Sequence, residues 1–193
     1  MPITDAPEFK SWFRESKVVD ENGQPLMVFH GTAADIERFQ HTHNGAGSRE
    51  SKLGYWFTEN SAAANNFAQF SRPNGANSNI VPVYLSIQNP WYPEKYLDIM
   101  DLIDRHTQFE RNMLLGDPPR NIRMVRDEVD HAGAIQELKS QGHDGIALLN
   151  TATDAPDGQT IHQFIVFEPR QIKSVFNRGT FDLNSDHISE EKK

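Results

Sequence analysis

The sequence contains no cysteine, which excludes disulfide bonds, a thiolate nucleophile and any zinc site with cysteine ligands. It has no apolar run of about eighteen residues, and its first residues lack the basic and apolar stretches of a secretory signal, so neither a membrane span nor export is expected. Positive charge is also scarce. The 19 Lys and Arg stand against 27 Asp and Glu, a net charge of −8, which disfavours general attraction to nucleic acid or anionic membranes. These absences favour a cytoplasmic protein.

Enough hydrophobic material is present for one folded domain. The 193 residues are 37% hydrophobic and include three Trp and twelve Phe, which suits one core better than two. We expect a single domain over residues 1–193, with a helix within 1–16, a core over about 17–182 and a flexible tail over 183–193. An early hairpin, central helices and late strands, without regular βαβ alternation, predict an α+β fold.

Local patterns predict the individual elements. Residues 22–23 are Asn-Gly, which predicts the turn of a hairpin whose second strand covers residues 26–30. Either Thr58 or Asn60 is expected to cap the Ala-rich helix that follows, and Pro82 predicts a sheet edge or a bulge in its strand. Further predicted elements are a helix over 4–15, strands over 54–57, 80–87, 145–149, 164–167 and 172–176, and two or three helices within 94–141.

The first candidate site is the segment Val28-Phe29-His30-Gly31-Thr32. A His at the end of an apolar strand can reach a cleft, and Gly31 lets a ligand approach the backbone closely. Together with the Thr32 hydroxyl, the cluster could hold a ribose hydroxyl and a carboxamide. From these residues alone, a plain strand that ends in a His-Gly-Thr turn stays open as the simpler alternative.

The second candidate is the aromatic strand Tyr55-Trp56-Phe57, taken with Phe67 of the following helix. Neighbouring residues on a strand point to opposite faces. Trp56 and Phe67 could therefore sandwich a flat ring, while Tyr55 and Phe57 pack into the core. The alternative is that all four rings pack strand against helix and bind no ligand.

The third candidate is Gln163, which the pattern places at the start of an apolar strand, where it could face a cleft. The alternative is a polar residue at a strand edge. A metal site is not expected, because His30, His41 and His43 match no standard zinc spacing.

These three pieces, in this order, resemble the ADP-ribosyltransferase superfamily of the His-Tyr-Glu type, and most closely the ADP-ribosyltransferase domain of phage and mobile-element polyvalent proteins. The resemblance runs from about residue 17 to residue 188, and the ordered set of motifs carries it rather than any one motif. Further matching segments are residues 19–25, 83–90, 144–146, 168–175 and 177–182. The resemblance implies a split antiparallel β-sheet core with flanking helices, and NAD bound across the cleft between two sheets.

The resemblance assigns a role to the strand end. By it, His30 hydrogen-bonds ribose hydroxyls of NAD, the Gly31 backbone pairs with the nicotinamide amide, and Thr32 contacts a ribose.

The resemblance also assigns the aromatic residues. Trp56 stands at the family's Tyr position, where it keeps the stacking face but loses the phenolic hydroxyl, and Phe67 stands at the second nicotinamide-stacking position. Tyr55 and Phe57 are included with the NAD-binding strand that carries Trp56.

Gln163 departs from the family, because it stands where a catalytic Glu binds the 2′-hydroxyl of the nicotinamide ribose. A Gln carbonyl accepts a hydrogen bond but carries no charge and cannot act as a general base, and charge-assisted hydrogen bonds are about twice as strong as neutral ones. Another carboxylate could assist, and Glu59, close to the aromatic strand, is a better candidate than Glu168. Transfer of a single unit rather than chain elongation is therefore expected.

The resemblance implies an NAD-dependent mono-ADP-ribosyltransferase, with NAD as co-substrate, no metal, release of nicotinamide, and an effector role in a bacterial cell or phage-infected host. The acceptor is a macromolecule, with a host or bacterial protein favoured over nucleic acid. Three alternatives stay open: an NAD- or ADP-ribose-binding module without transfer, an NAD glycohydrolase toxin, and an RNA 2′-phosphotransferase. The polar loop over residues 40–52 is expected to act as a lid or to bind the acceptor.

Overall fold

Helices and strands alternate irregularly along the computed structural model, which describes residues 2–40, 49–70, 78–108, 128–151, 160–179 and 181–189. The helices are α1 (Pro7–Phe13), α2 (Ser61–Phe70), α3 (Tyr96–Arg105) and α4 (His131–Ser140). The strands are β1 (Val28–Thr32), β2 (Tyr55–Thr58), β3 (Asn79–Leu85), β4 (Pro90–Trp91), β5 (Thr107–Gln108), β6 (Glu128–Val129), β7 (Gly145–Thr151), β8 (Ile161–Val166) and β9 (Ile172–Ser174). The predicted α+β class is confirmed. None of the helices in these ranges combines the length and apolar character that crossing a bilayer requires.

One seven-stranded sheet organises the fold, in the order β4-β7-β8-β2-β1-β3-β9. Its neighbours are antiparallel except for β4, which runs parallel to β7. The two central strands, β1 and β2, share the fewest residue pairs. β1 shares five residue pairs with β3 and β2 shares four with β8, but β1 and β2 meet only at Phe29 and Thr58. Two mainly antiparallel halves are thus joined at one pair, which agrees with the split sheet that the resemblance implies.

Strand alternation gives this sheet two apolar faces. The face that we call the Val28 face carries one buried cluster, which includes Val28, Phe57 and Phe164. The opposite face, called the Ile165 face, carries Ile165 and its neighbours, and α3 and α4 cover it. Because both faces are buried, the central strands read as nearly continuous apolar runs.

The predicted N-terminal helix is shorter than expected. The helix α1 ends at Phe13 because Arg14 takes a left-handed φ of 51°. Its Phe9, Trp12 and Phe13 pack with Phe181 in a third buried cluster, and this contact ties the start of the chain to its end.

The predicted hairpin is wrong in its strand pairing. Its turn does form, because the Asp20 carboxylate accepts hydrogen bonds from the backbone and Gly23 supplies a φ of 75°. However, the two arms share only the pair Val19 and Pro25. The strand β1 starts at Val28 instead and pairs with β2 and β3 rather than with the first arm of the hairpin.

Pro82 lies in an inner strand, although it predicts an edge. The strand β3 runs between β1 and β9, but β9 reaches only as far as Val83. Pro82 therefore lies just past the last β9 pair, where its carbonyl accepts a 3.2 Å bond from the Val175 N–H but it has no N–H to donate in return.

The described part of the predicted tail, residues 183–189, contacts the core through Ile188. Ile188 is only 4% exposed, and its carbonyl accepts a 2.7 Å bond from the Ser174 N–H while its own N–H donates to the Glu37 carbonyl at 3.1 Å. The fully buried Lys173 ammonium donates to the carbonyls of Ser185 and His187, at 3.0 and 2.8 Å. The segment thus prolongs the sheet beyond β9 and supplies acceptors for a buried charge. Residues 190–193 lie outside the described ranges.

We expect Ile188→Ala to lower the free energy of unfolding by about 2–5 kcal/mol, because it removes buried apolar volume from a site that cannot fully collapse. Leu183→Ala is the matched control in the same segment. Leu183 is 37% exposed, so its truncation should cost less than about 1 kcal/mol. Urea unfolding measures both, and equal losses would mean that the C-terminal segment is not packed as described.

Candidate active site

The His30 imidazole is fixed by a hydrogen bond to the backbone of β2. Its Nδ1 lies 2.8 Å from the Trp56 carbonyl oxygen, and the rings of Phe39 and Phe57 lie 5.0 and 5.5 Å from its own. A carbonyl oxygen only accepts, so Nδ1 carries the proton. Burial is the larger influence and lowers the pKa of His30 below its ordinary value of 6.5, against the hydrogen bond to Trp56, which raises it. The ring is therefore neutral at pH 7, with an unprotonated Nε2.

This imidazole occupies the place where the β1–β2 ladder would continue. Beyond the pair Phe29 and Thr58, the next backbone bonds would join Gly31 to Trp56. The Trp56 carbonyl instead accepts from the His30 side chain. Alternate residues of a strand direct their N–H and C=O to the same side, so Gly31, like Phe29, directs both groups toward β2. Gly31 thus presents a donor and an acceptor where no residue of β2 in the described ranges pairs with it.

Gly31 also lets α2 approach the sheet. A Cβ built on it would lie 1.8 Å from the Ala64 carbonyl oxygen and 2.9 Å from the Ala68 nitrogen. The sequence predicted close approach by a ligand at this residue, and the structure adds the helix backbone as an independent reason for glycine. This helix contact was not foreseeable from the motif, because Ala64 lies 33 residues further along the chain.

Thr32 ends β1 beside an open cleft. Its hydroxyl oxygen accepts a 3.1 Å bond from the Ala34 N–H, which turns the chain and leaves the hydroxyl hydrogen to donate elsewhere. The cleft has a volume of about 500 Å³. Its lining residues are Ala33, Ala34, Asp35, Ser78 and Asn79.

The aromatic residues of β2 divide between the two faces as their alternation predicts. Tyr55 and Phe57 are buried on the Val28 face, at 5% and 2% exposure. Trp56 packs against the cluster on the Ile165 face and is partly buried. Its indole Nε1 is buried with no hydrogen-bond partner in the described part of the chain, which is a cost unless a ligand or water supplies an acceptor.

Phe67 lies on α2 and is 41% exposed. It follows the buried Ala63 and Ala64 by one turn, so it lies on the side of the helix that packs against the sheet. Within the described ranges neither Phe67 nor Trp56 makes a ring contact. The Trp56 ring packs against the apolar cluster on the Ile165 face, whereas the Phe67 ring is the more exposed of the two.

Gln163 lies inside β8 rather than at its start, because the strand begins at Ile161. It pairs with Thr58 of β2 and with Leu148 of β7, and it is 4% exposed. By alternation its side chain shares the Ile165 face with Trp56, whereas the His30 ring contacts the Val28 face. A ligand that touches both His30 and Gln163 has to cross the sheet at the open β1–β2 junction.

Two carboxylates differ in their relation to Gln163. Both oxygens of Glu59 accept from the His162 N–H, at 2.7 and 2.9 Å, so that Glu59 is held beside the residue that precedes Gln163. Glu168 forms an ion pair with Lys139 and contributes no contact to this junction.

Two other predictions fall partly outside the described ranges. Residues 41–48 of the predicted lid lie outside them, and so do His41 and His43; the end of that loop forms a 3₁₀ turn, Arg49–Leu53. Among the described residues, no group of three or more His, Cys, Asp or Glu side chains is arranged to hold a metal.

A mixed sheet that splits beside a strand-borne His-Gly pair has the architecture of an ADP-ribosyltransferase. The sequence model described as "ADP-Ribosyltransferase in polyvalent proteins" matches residues 20–181, which is most of the chain. The protein therefore belongs to this family, which uses NAD as co-substrate. No curated protein and no solved structure matches the chain significantly.

Gly31→Ala should destabilise the fold near the upper end of the range of about 1–3 kcal/mol that overpacking costs, because the new methyl meets helix backbone rather than a flexible side chain. Urea unfolding and the amide shifts of α2 measure the effect. Gly23→Ala is the control, since a Cβ there meets no atom within 4 Å and costs only about 1 kcal/mol of left-handed strain. Unchanged α2 shifts in Gly31→Ala would contradict the contact.

Acid should weaken the fold through His30. Its folded pKa is lowered, so the unfolded chain binds the proton more readily, and the stabilisation present above about pH 6.5 is lost as the pH falls below that value. The matched variant is His30→Asn, whose amide keeps the bond to the Trp56 carbonyl but does not titrate. Between pH 7.5 and 5.5 the wild type should lose up to about 1.4 kcal/mol in total more than the variant, nearly all of it below pH 6.5. Equal losses would contradict a buried neutral imidazole.

Proposed function

We propose that the protein transfers a single ADP-ribose unit from NAD to a macromolecular acceptor and releases nicotinamide. The observation that carries the proposal is the neutral His30, which is held by the Trp56 carbonyl at the point where the Gly31 backbone is left unpaired by β2. Membership of the ADP-ribosyltransferase family supports the same activity.

The groups at the junction fit the chemical groups of NAD. The unprotonated Nε2 of His30 can accept a hydrogen bond from a ribose hydroxyl. The N–H and C=O of Gly31 match the carbonyl and amino groups of a primary carboxamide. Trp56 and Phe67 each offer an apolar face for the nicotinamide ring, and the Thr32 hydroxyl has a hydrogen to donate to the ribose or phosphate side.

The bond to be broken in NAD joins the ribose to nicotinamide, which leaves as a neutral molecule, so that positive charge develops on the ribose. The carbonyl oxygen of Gln163 can accept from a ribose hydroxyl and so orient the sugar, but it adds no negative charge. Preorganised groups at a developing charge supply much of the rate in such reactions. We therefore expect slow transfer of one unit, without elongation of an ADP-ribose chain.

The proposed acceptor is a host or bacterial protein. The net charge of −8 disfavours a nucleic-acid acceptor, because polyphosphate would be repelled. The proposed setting is the cytoplasm of a bacterial cell or phage-infected host, where the protein acts as an effector.

A second candidate is an NAD-binding module that does not catalyse transfer. One observation favours it: the buried residue at the junction is the neutral Gln163, and a buried neutral amide can bind a hydroxyl without lowering the barrier to bond cleavage. The two candidates agree on NAD binding and differ only in nicotinamide release.

The test is incubation with NAD labelled in its adenylate half, in a bacterial lysate and in buffer, with nicotinamide release and label transfer followed together. His30→Asn is the matched variant, because its amide can keep the bond to the Trp56 carbonyl while Nε2 is lost with the rest of the ring. We expect label on protein from the lysate, and at least about tenfold less nicotinamide release from His30→Asn, since a buried hydroxyl would lose its acceptor.

Each of the other possible results of this experiment indicates a different function. NAD binding without nicotinamide release would establish the binding module. Release in buffer without any labelled macromolecule would establish an NAD glycohydrolase. If NAD does not bind at all, as measured by Trp fluorescence and calorimetry, both candidates fail.

A further inference from the structure

Glu59 continues the β2–β8 ladder with its side chain. The last pair between these strands is Thr58 with Gln163, and Phe57 pairs with Phe164. In a regular ladder the next bond from β8 would run from the His162 N–H to the Glu59 backbone. The Glu59 carboxylate takes that N–H instead, with its two oxygens at 2.7 and 2.9 Å. A negative charge thus lies in the plane of the sheet, at the end of the two strands that carry Trp56 and Gln163.

This carboxylate is also held by its place in the chain. It directly precedes Asn60, whose side chain accepts from the Ala62 and Ala63 N–H groups and caps α2. The N-terminus of a helix carries partial positive charge, which favours a carboxylate beside it. The His162 N–H fixes the carboxylate, at a point of the chain next to the residue that caps α2.

Two other carboxylates of the described residues have other partners. Asp35 bonds to the Asn79 side chain at the edge of the cleft, and Glu168 pairs with Lys139. Glu59 is the carboxylate bonded to the residue next to Gln163.

We propose that Glu59 supplies the negative charge that stabilises the ribose as nicotinamide leaves, acting through its fixed position rather than by touching the sugar. The proposal rests on the proposed transferase activity. Cleavage of a glycosidic bond develops positive charge on the sugar, and carboxylates are the groups that proteins place against it. Gln163 orients the sugar and Glu59 provides the charge, so the two roles are divided between neighbouring positions on β2 and β8.

The experiment compares Glu59→Gln with Glu59→Asp, using steady-state nicotinamide release at several NAD concentrations. Gln keeps the length of the side chain and one acceptor for the His162 N–H but loses the charge. Asp keeps the charge but its side chain is one methylene shorter. We expect Glu59→Gln to lower kcat at least about tenfold, which corresponds to about 1.4 kcal/mol, with KM for NAD within about twofold. Glu59→Asp should retain more activity than Glu59→Gln.

Charge placement is tested by the double variant Glu59→Gln with Gln163→Glu, which moves the carboxylate across the β2–β8 pair. We expect it to recover most of the kcat lost in Glu59→Gln. Glu21→Gln is the matched control, because it removes the same charge from an exposed turn and should leave kcat unchanged. Thermal unfolding of each variant checks that a lost kcat is not lost folding.

Three outcomes overturn the proposal. If Glu59→Gln keeps wild-type kcat, the transferase function stands and the role of Glu59 is refuted. If Glu59→Gln is more active than Glu59→Asp, the carboxylate acts only as a clamp on β8. If the wild type releases no nicotinamide but Gln163→Glu does, the transferase function fails for the natural chain, and Glu59 does not supply the missing charge.

Discussion

The hydrogen bond from the His30 Nδ1 to the Trp56 carbonyl sets both the shape of the sheet and the chemistry of its centre. By taking this carbonyl, the imidazole ends the β1–β2 ladder after one pair. The same bond fixes the tautomer and so leaves an acceptor at Nε2. Without it, the two strands could continue pairing. The Gly31 N–H and C=O would then form hydrogen bonds with β2 and would not be available to a ligand.

Several features of the junction follow from this early separation of the strands. The helix α2 can press on β1 because Gly31 has no side chain, and the helix in turn carries Phe67 to the edge of the junction. Trp56 contributes twice, with its carbonyl on the side of His30 and with its ring on the Ile165 face. Phe39 and Phe57, which contribute to the burial of His30, also belong to the apolar core. The same side chains therefore stabilise the fold and shape the candidate site.

The sequence predicts those parts of the fold that local patterns determine. The aromatic strand, the Asn60-capped helix and the α+β order follow from propensity and capping, which act over a few residues. The partner of β1 and the packing of Ile188 do not, because they depend on contacts between distant segments, such as that between Glu37 and Ile188. Residue identity likewise points to His30 but not to the Trp56 carbonyl, since every residue type has a carbonyl.

An amide rather than a carboxylate at position 163 changes the free-energy cost of burying the side chain. A carboxylate at this buried point would lose its hydration and would need compensating partners, whereas an amide is neutral and costs far less to bury. Glu59 lies at the partly exposed end of the same strand pair and already has the His162 N–H as a partner. Placing the charge there avoids the desolvation cost while keeping it near the sugar. Its effect over that longer distance is weaker, in keeping with the slow transfer of one unit that we propose.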